Sequence, residues 1–431
     1  MVASSYAADG RLLPELRAAW PPAPMPTSPD RGYTTPDPAD RAPVAALRLS
    51  DRFAVALQDE PGGVFLAVPL VRDEILVTSW RRAVPGDGLS AFVAGVPMAS
   101  ERAIEVDQTN TSMVVGERAI VKWYRRVGPE PSRATVLVAH LEATGFAEMP
   151  VPLGSLAWER APGPTLTIAH GDAFLPEARD GWDWCVERLE RHVGHGSAPC
   201  PAACDPWIGA RLGGLVARLH KALATASTIL PEPLATADRG TVLDWRTTAE
   251  ATLDEAIDLT SEQEPEAGNR LRAIAGSIRA DLAGLPVDRP VRLQPVHGDL
   301  HVGQVLEWAG GWAVIDFDGN PTLPASGNAL RQPVERDIAQ LLSSLDHVGR
   351  IVAVRSGDDA AELIDGWIVR NRRDVLDAVD PDPGVLAAFE AEQECRELVY
   401  AARFLPRWRY APLATLHARY REGRPVSRSP R

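Results

Sequence analysis

The chain has few cysteines, no cluster of basic residues and no long apolar segment, and each absence excludes a class of protein. Four cysteines in 431 residues are too few for a disulfide framework. Lys and Arg total 45 against 58 Asp and Glu, a net charge of −13, and no Lys/Arg-rich block occurs. Nucleic acid is therefore a poor electrostatic partner. No uninterrupted apolar run reaches membrane-spanning length, so we also expect no membrane partner.

The N-terminal half contains one irregular segment and one predicted sheet. Met1–Ser5 has no basic patch followed by an apolar stretch, so we expect no signal peptide and a cytoplasmic location. Pro, Asp and Ser are concentrated in residues 21–44, which predicts an irregular surface segment. Apolar runs at residues 52–57, 63–70 and 74–80 alternate with short turns and predict a small antiparallel sheet.

Two histidines and two cysteines fall within one short stretch, at His192, His195, Cys200 and Cys204. Their spacing fits no standard zinc pattern, and the glycines and prolines around them are typical of a flexible loop. The sequence alone therefore favours a loop over a zinc site.

The segment from Val296 to Gln304 carries the most informative motif. Asp299 precedes the amide side chain of Gln304 by five residues, and Asp316 follows at the end of an apolar run. Phosphoryl transfer uses one Asp to accept the proton of a hydroxyl, and an amide oxygen with a second Asp to hold Mg²⁺ on the nucleotide phosphates. The catalytic loop of protein kinases has the same interval between its Asp and Asn. The motif predicts a small-molecule kinase that uses ATP and Mg²⁺, with Asp299 as catalytic base.

The two predicted metal ligands belong to one predicted hairpin. Apolar runs at residues 304–308 and 312–316 flank a short Ala-Gly-Gly loop, which is a hairpin signal. Gln304 would start the hairpin and Asp316 would end it, so both side chains would lie at the same rim. Two oxygen ligands suit Mg²⁺, which takes few protein ligands and keeps waters and phosphate oxygens.

A candidate phosphate site lies upstream, where predicted strands at residues 103–106 and 119–123 bracket a polar loop. Lys122 lies within the second strand, where kinases place the Lys that pairs with the phosphates. Neither G-x-G-x-x-G nor G-x-x-x-x-G-K-[ST] occurs here, so backbone N–H groups and polar side chains of the loop would contact the phosphates. Besides Lys122, the candidate nucleotide ligands in this region are Gln108, Asn110, Thr111 and Ser112.

The run His297-Gly298-Asp299-Leu300-His301 resembles the catalytic loop of the aminoglycoside-phosphotransferase and choline-kinase-like superfamily, which has the protein-kinase fold. Residues 303–317, Asp180-Gly181-Trp182 and residues 400–408 resemble bacterial maltokinases, and the resemblance covers about residues 100–420. It implies an α+β, bilobal, protein-kinase-like fold with an N-terminal cap subdomain. The implied divisions are a cap at 1–100, an N-lobe at 101–174 and a helix-rich C-lobe at 175–431.

The same resemblance implies further nucleotide contacts and leaves one partner open. Residues 166–174 would form the hinge, with Asp172 and Phe174 as nucleotide ligands. The Glu that fixes the strand Lys in kinases has no direct counterpart, because Val136 stands in its place. Glu130 and Glu142 are the nearby alternatives.

The residues after Asp316 indicate the acceptor. Asp316–Pro321 stands where maltokinases are expected to show a Glu-Gly-Glu pattern, and this departure resembles the maltokinase-like glucosamine kinases of actinobacteria. That family phosphorylates the 6-hydroxyl of the amino sugar, which implies glucosamine and ATP as small-molecule partners. We expect the protein to be a monomer or a weak dimer. Three alternatives stay open: a maltokinase that makes maltose 1-phosphate, an aminoglycoside-type phosphotransferase, and an inactive nucleotide-binding regulator.

Periodic leucines and alanines predict that most of the chain after residue 182 is helical, and Asp337 is predicted at a helix start, where a carboxylate favours the dipole. A helix predicted over Phe389–Leu405 places four residues on one face, namely Glu390, Gln393, Glu397 and Tyr400. Sugar pockets combine such groups with an aromatic ring, and an amino sugar adds the need for a carboxylate, from Glu397 or Asp318. The candidate sugar ligands are Asp318, Gln393, Arg396, Glu397 and Trp408.

Overall fold

The computed structural model describes residues 2–18, 20, 41–72, 80–96, 98–104, 110–128, 130–196, 198, 200–201, 204–320, 323 and 329–420. The chain forms two compact units: unit 1 comprises residues 1–142 and 149–177, and unit 2 comprises residues 143–148 and 178–431. None of the described helices is both long enough and apolar enough to cross a membrane.

The first 177 residues are mainly strands. In chain order the elements are β1 (Val2–Ala7), α1 (Leu12–Ala18), β2 (Ala45–Arg48), β3 (Phe53–Glu60), β4 (Val64–Arg72), β5 (Trp80–Arg82), α2 (Leu89–Val93), β6 (Glu101–Ala103), β7 (Thr111–Val115), β8 (Ala119–Trp123), β9 (Arg126–Val127), α3 (Arg133–Ala143), β10 (Pro152–Glu159) and β11 (Thr165–Ala173).

Unit 1 contains two sheets that share a core. The first has the strand order β2-β3-β4-β5, with β9 added beside β4, and its antiparallel pairing confirms the sheet predicted for residues 52–80. Of the predicted third run, only Trp80 lies within the described residues. β3 is buried on both faces, because its alternate residues Ala54 and Ala56 pack in a second apolar cluster with Leu12 and Leu16 of α1. The shared core includes Val55 and Leu57 of the first sheet and Val121, Leu156 and Ile168 of the second.

The second sheet has the strand order β1-β10-β11-β8-β7-β6. Of the two strands predicted around Lys122, residues 119–123 form β8, as predicted. The strand predicted at residues 103–106 is described only to Ile104, and β6 ends at Ala103. Thr111 and Ser112, predicted in a polar loop, instead lie in β7, which pairs with β8, and β11 pairs with β8 on the other side. β1 pairs with β10 in parallel, with Val2 opposite Gly154. The sequence analysis did not identify β1, because a short edge strand of small residues carries little periodic signal.

Unit 2 is mainly helical, as predicted. Its helices are α4 (Gly181–Gly194), α5 (Gly209–Leu223), α6 (Arg239–Gln263), α7 (Pro265–Leu282), α8 (Glu335–Ser356), α9 (Ala361–Val379), α10 (Pro383–Phe404) and α11 (Tyr410–Arg419). Short strands lie between them, namely β12 (Ala235–Ala237), β13 (Val291–Pro295), β14 (Val305–Trp308), β15 (Gly311–Val314) and β16 (Arg331–Gln332).

Local sequence explains where several of these helices begin. The side chain of Asp180 accepts a hydrogen bond from the backbone N–H of Trp182 and caps α4, and Asp382 caps α10 just before Pro383. In α5 the leucines spaced at three and four residues are buried. α8 differs from the others, because almost its whole circumference is buried from Glu335 to Gly349, including its polar residues.

Candidate active site

The predicted hairpin is present and brings the two predicted metal ligands to one end. β14 and β15 pair antiparallel, with Val305 opposite Val314, and the backbone N–H of Ile315 donates to the carbonyl of Gln304 at 3.0 Å. Asp316 follows directly and its side chain is exposed, whereas Gln304 is buried. Asp316 has a φ of +63°, in the left-handed region that Asp tolerates better than most residues. The strands therefore present a carboxylate and a carboxamide at the same rim.

His297 ties this hairpin to Asp299. Its Nδ1 accepts the backbone N–H of Asp299 at 3.3 Å, and its Nε2 lies 2.8 Å from the carbonyl of Ile315. Only a neutral ring protonated on Nε2 satisfies both bonds. Complete burial lowers the pKa of His297, and the nearby carboxylates oppose that shift without reversing it. Phe317 packs against the ring with a centroid separation of 5.0 Å.

Asp299 is oriented by an amide of the neighbouring helix. Gln340 Nε2 donates to Asp299 Oδ1 at 2.9 Å, and Gln340 Oε1 accepts the backbone N–H of Leu300 at 3.2 Å. The second oxygen, Asp299 Oδ2, lies 4.0 Å from His301 Nε2. That ring nitrogen is also 3.5 Å from Gln304 Nε2, so Asp299 and Gln304 flank one histidine.

Gln340 belongs to a polar stripe on α8 that holds the backbone of residues 297–304, which we call the His-Gly-Asp loop. Asp337 accepts the N–H groups of His297 and Gly298, both at 2.8 Å, and Ser344 accepts the N–H of Val302 at 3.0 Å. Residues 337, 340 and 344 are spaced at three and four and therefore share one helix face. Buried backbone donors must find acceptors, and this face supplies them for four residues of the loop.

Asp337 lies in the first turn of α8, as predicted, and is fully buried. His220 Nε2 lies 3.0 Å from its Oδ2. Burial by itself opposes ionisation, but the hydrogen bond and charge of His220, together with His297 and the N–H of Gly298, lower the pKa of Asp337. The carboxylate is therefore an ionised anchor beneath the His-Gly-Asp loop, a role that exceeds the predicted interaction with the helix dipole.

The N-terminal end of α4 covers the other side of the loop. An ideal Cβ on Gly181 would lie 1.7 Å from the carbonyl oxygen of Val302, so no side chain fits at that position. Trp182 follows, and its ring centroid is 5.7 Å from that of His301. Trp184 is fully buried and donates to the carbonyl of Val305 at 3.0 Å. The Asp-Gly-Trp motif thus packs α4 against both the loop and the hairpin.

Three predicted sugar ligands lie together on α10 and form what we call the α10 polar set: Gln393, Arg396 and Glu397. Gln393 donates to Glu397 at 3.0 Å and accepts from Arg396. Burial raises the pKa of Glu397, as does the charge of Glu394 nearby, against the opposing effects of His347, Arg396 and His301. Glu390, on the same helix, pairs with Arg372 and Arg419 inside the helix bundle.

Trp408 is linked to the His-Gly-Asp loop through aromatic contacts. Its ring centroid is 6.0 Å from that of Trp182, edge to face, and 5.4 Å from that of His347. His347 in turn bonds Glu394 at 3.0 Å and continues the polar stripe of α8. Trp408 therefore contacts Trp182, which in turn contacts His301. Asp318, the remaining sugar candidate, is half-buried and follows Asp316 beyond the buried Phe317.

The nucleotide candidates belong to unit 1. Lys122 lies on β8 between Ser112 of β7 and His170 of β11, which are its cross-strand partners. Cross-strand partners point to the same face of a sheet, so Ser112, Lys122 and His170 form one row. Asp172 lies two residues along on that face, with its Oδ1 3.0 Å from His170 Nε2. The sheet thus groups Lys122 with polar neighbours on one face.

The other nucleotide candidates are more scattered. Thr111 adjoins Ser112 and points to the opposite face, because successive strand residues alternate. Asn110 precedes β7, Phe174 follows β11, and Gln108 lies outside the described residues. Glu130 precedes α3 and Glu142 lies in its last turn, and both side chains are exposed.

The donor set at the hairpin rim suits Mg²⁺. A carboxylate and a carboxamide are hard oxygen donors, and Mg²⁺ is usually bound by one or two such protein groups together with phosphate oxygens and water. The exposed side chain of Asp316 leaves room for those other ligands. Gln304 and Asp316 are the residues that could hold the ion, with Asp299 near them through His297 and His301.

The sequence analysis did not identify the supports of the loop, Gln340 and Ser344, or the full role of Asp337. They lie more than thirty residues after the motif and on a different element. One signal was available in retrospect: α8 carries polar residues at i, i+3 and i+7 within a helix that is otherwise apolar on that side. A polar stripe on a helix that is long enough to be buried indicates an internal hydrogen-bond network.

No protein-family model matches the chain, but similar proteins are found among curated proteins and solved structures. A glucosamine kinase of Streptacidiphilus jiangxiensis is 37% identical over 433 residues, which cover 92% of this chain and 95% of that protein. A glucosamine kinase of Mycolicibacterium smegmatis is 36% identical over 395 residues, which cover 83% and 94%.

A solved structure of a glucosamine kinase in complex with glucosamine, ADP and inorganic phosphate superposes with a TM-score of 0.77 at 32% identity, covering 94% of this chain and 98% of that one. These findings confirm the predicted α+β, protein-kinase-like fold and the predicted resemblance to actinobacterial glucosamine kinases. At this identity and over this length, the chain belongs to the glucosamine kinase family.

Proposed function

We propose that this protein transfers the γ-phosphoryl group of ATP to the 6-hydroxyl of glucosamine. The observation that carries the proposal is the geometry around Asp299. Its carboxylate accepts a hydrogen bond from Gln340. Its backbone N–H donates to His297, and the other nitrogen of that ring bonds the carbonyl of Ile315, the residue before Asp316. The relatives support the substrate, since two curated proteins that match 92% and 83% of this chain are glucosamine kinases.

Asp299 would orient the acceptor hydroxyl and accept its proton as the oxygen attacks phosphorus. Gln340 holds one carboxylate oxygen, and the α8 stripe fixes the backbone on either side, so little reorganisation precedes the reaction. A preorganised base and acceptor contribute through positioning and electrostatics rather than through covalent chemistry. His297, neutral and with both nitrogens bonded, would keep the loop and hairpin in register rather than exchange protons.

Gln304 and Asp316 would hold Mg²⁺, which when bound neutralises charge on the nucleotide phosphates. In unit 1, Lys122 would pair with the phosphates, and Ser112 on the same row would add a hydroxyl donor. Asn110, Thr111 and Gln108 are the further phosphate candidates. Asp172 and Phe174, at and just beyond the end of β11, are the proposed contacts to the rest of the nucleotide.

The α10 polar set would bind the sugar. Glu397 is the proposed partner of the ammonium group, because a carboxylate in a desolvated position gains most from a cation. Gln393 and Arg396 would bond sugar hydroxyls, and Trp408 would cover the apolar face of the ring. Asp318, next to the metal candidate Asp316, would bond a hydroxyl near the transferred phosphoryl group.

A substrate panel tests the proposal. ADP release would be followed with glucosamine, glucose, maltose and kanamycin as acceptors, with and without Mg²⁺, and the product position identified by NMR. We expect Mg²⁺-dependent turnover with glucosamine and phosphate on the 6-oxygen. Preference for maltose or kanamycin would favour the maltokinase or antibiotic-modifying alternatives. Absence of turnover with every acceptor, despite ATP binding, would favour the inactive regulator.

The proposed reaction consumes ATP, so we place it in the cytoplasm.

The end of α10 exposes apolar surface at Tyr400, Phe404 and Leu405, which supports weak self-association of a monomer. Light scattering across a concentration series measures this directly, and a stable dimer at the lowest concentration would contradict it.

A further inference from the structure

The C-terminal end of α4 and the chain after it bring together three side chains that the proposed reaction does not use. One donor atom each of His192, Cys200 and Cys204 lies within 4.8 Å of the others. We call these residues the His-Cys cluster. The sequence spacing alone favoured a flexible loop, whereas the fold closes that loop so that one nitrogen and two sulfur donors converge.

This donor set matches soft divalent metals. Zinc sites take thiolates at about 2.3 Å and imidazole nitrogens at about 2.0 Å, in a tetrahedral arrangement that separates neighbouring donors by roughly 3.5–3.8 Å. The cluster therefore needs only small side-chain movements to reach coordination distances. The rim at Gln304 and Asp316 offers oxygen donors alone, so the two places favour different ions.

The surroundings of His192 suit it to ligate a metal ion. Its Nδ1 is buried and has no hydrogen-bond partner among the described residues. A buried polar nitrogen left without a partner destabilises the folded state, and coordination to a metal would remove that cost. Its ring packs edge to face against Trp207 at 5.1 Å, which fixes its orientation.

The two cysteines are close enough to interact and are differently exposed. Cys204 is 2% exposed and Cys200 is half-buried. Burial, followed by the hydrogen bond and charge of Cys200, raises the pKa of Cys204 to about 11. Both thiols are free. The raised pKa means that Cys204 favours the protonated thiol. A bound cation would favour the thiolate instead, because a coordinated thiol gives up its proton.

We propose that His192, Cys200 and Cys204 bind one Zn²⁺ ion, with water at the fourth position. Binding forms one Zn–N and two Zn–S bonds and releases the two thiol protons to solvent. The ion fastens the chain between α4 and α5 to the end of α4. Trp182 lies at the other end of this 14-residue helix, about 15 Å from His192 along its axis, so the metal is structural and not part of phosphoryl transfer.

Cobalt substitution tests the site in the full chain. The reduced, chelator-treated protein would be titrated with Co²⁺ and then with Zn²⁺, with thiolate-to-cobalt charge-transfer absorption as the signal. We expect one equivalent of Co²⁺, displaced by Zn²⁺, with the absorption lost in Cys200→Ser and Cys204→Ser. Cys395→Ala, which removes a buried thiol on α10, should keep the absorption. His192→Asn should weaken binding at least tenfold, and His195→Asn should not.

A second measurement needs no variant. Zn²⁺ should protect Cys200 from alkylation in the folded wild-type protein and raise the melting temperature, as mass action requires for a ligand of the native state. Turnover of Cys200→Ser should match wild type. The proposal is overturned if Co²⁺ gives no charge-transfer absorption, if the absorption survives loss of either thiol, or if Cys200 and Cys204 form a disulfide that Zn²⁺ does not prevent.

Discussion

The His-Gly-Asp loop and the α10 polar set both lie beside α8, but they are held in different ways. In the loop, side chains of α8 accept backbone N–H groups, at Asp337, Gln340 and Ser344. In the α10 polar set, the bonds join one side chain to another, and Arg396 and Glu397 are only half-buried. The bonds to the loop therefore fix the conformation of the main chain, whereas the bonds within the α10 polar set fix only side-chain rotamers.

The difference suggests a division of tasks. Backbone held by buried acceptors cannot rearrange without leaving donors unsatisfied, which costs about 1–3 kcal/mol for each group. Bonds between half-buried side chains exchange readily with substrate hydroxyls at little net cost. The loop is thus held in a single geometry, and the bonds of the α10 polar set could pass to the proposed sugar substrate. Four substitutions sharpen or break this comparison.

The largest expected effect is on the loop itself. Asp299→Asn keeps the shape and the bond from Gln340 but removes the proton acceptor, so we expect kcat to fall by about 10²–10⁴-fold. Steady-state ADP release measures the loss, and calorimetry with ADP should show an unchanged affinity. Formation of glucosamine phosphate at near-wild-type rates would remove Asp299 from its proposed role.

Asp337→Ala should have the second-largest effect, which we expect on the free energy of unfolding. It strips a fully buried anchor from two backbone N–H groups and from His220, and removal of one partner of such a network costs about 3–5 kcal/mol. Urea unfolding measures the loss, with Glu362→Gln, an exposed first-turn acid of α9, as the control.

The pH dependence of wild type bears on the same anchor. Because the pKa of Asp337 is lowered in the folded state, its contribution to stability is present above the ordinary Asp pKa, near 3.8, and is lost as the pH falls through the lowered value. The variant should lack this part of the acid transition. An unfolding curve of Asp337→Ala that matches the control would show that the loop does not depend on α8.

The α10 polar set should respond in substrate binding, not in stability. Glu397→Gln removes the proposed partner of the ammonium group, so we expect KM for glucosamine to rise about tenfold to a hundredfold. KM for glucose, which has no amine, serves as the internal control and should change little. In wild type, KM for glucosamine should rise as the pH falls through the raised pKa of Glu397, because the protonated acid no longer attracts the cation. Equal changes for both sugars would assign Glu397 to packing.

The smallest effect is expected at His347, which joins the two regions. Burial disfavours its charged form, but the charge and hydrogen bond of Glu394 outweigh burial and raise the pKa of His347. Its contribution to stability is complete below the ordinary pKa of 6.5 and declines as the pH rises through the raised value. His347→Gln should therefore flatten the decline in unfolding free energy as the pH rises above the ordinary pKa of 6.5. A parallel decline in the variant would contradict the pairing.

The same contrast explains what the sequence could predict. Asp299, Gln304 and Asp316 were found together because one short loop and one hairpin carry them, and local patterns encode such features. Asp337, Gln340 and Ser344 were not recognised as supports, because their contacts to residues 297–302 depend on how α8 packs. The α10 helix face was predicted from its period, but Glu390, on the same face, turned out to be bonded to Arg372 and Arg419. The roles of all the candidate ligands remain predictions until they are tested.

Gly181 has a practical consequence for engineering and for recognition of related chains. Because the first residue of α4 touches the Val302 carbonyl with no space for even a methyl group, replacement by alanine would push a whole helix off the reaction centre. Directed-evolution libraries should leave this codon untouched. In related sequences that are difficult to align, an Asp-Gly-Trp motif about 120 residues before a His-Gly-Asp motif identifies the two segments that make the contact between Gly181 and Val302 here.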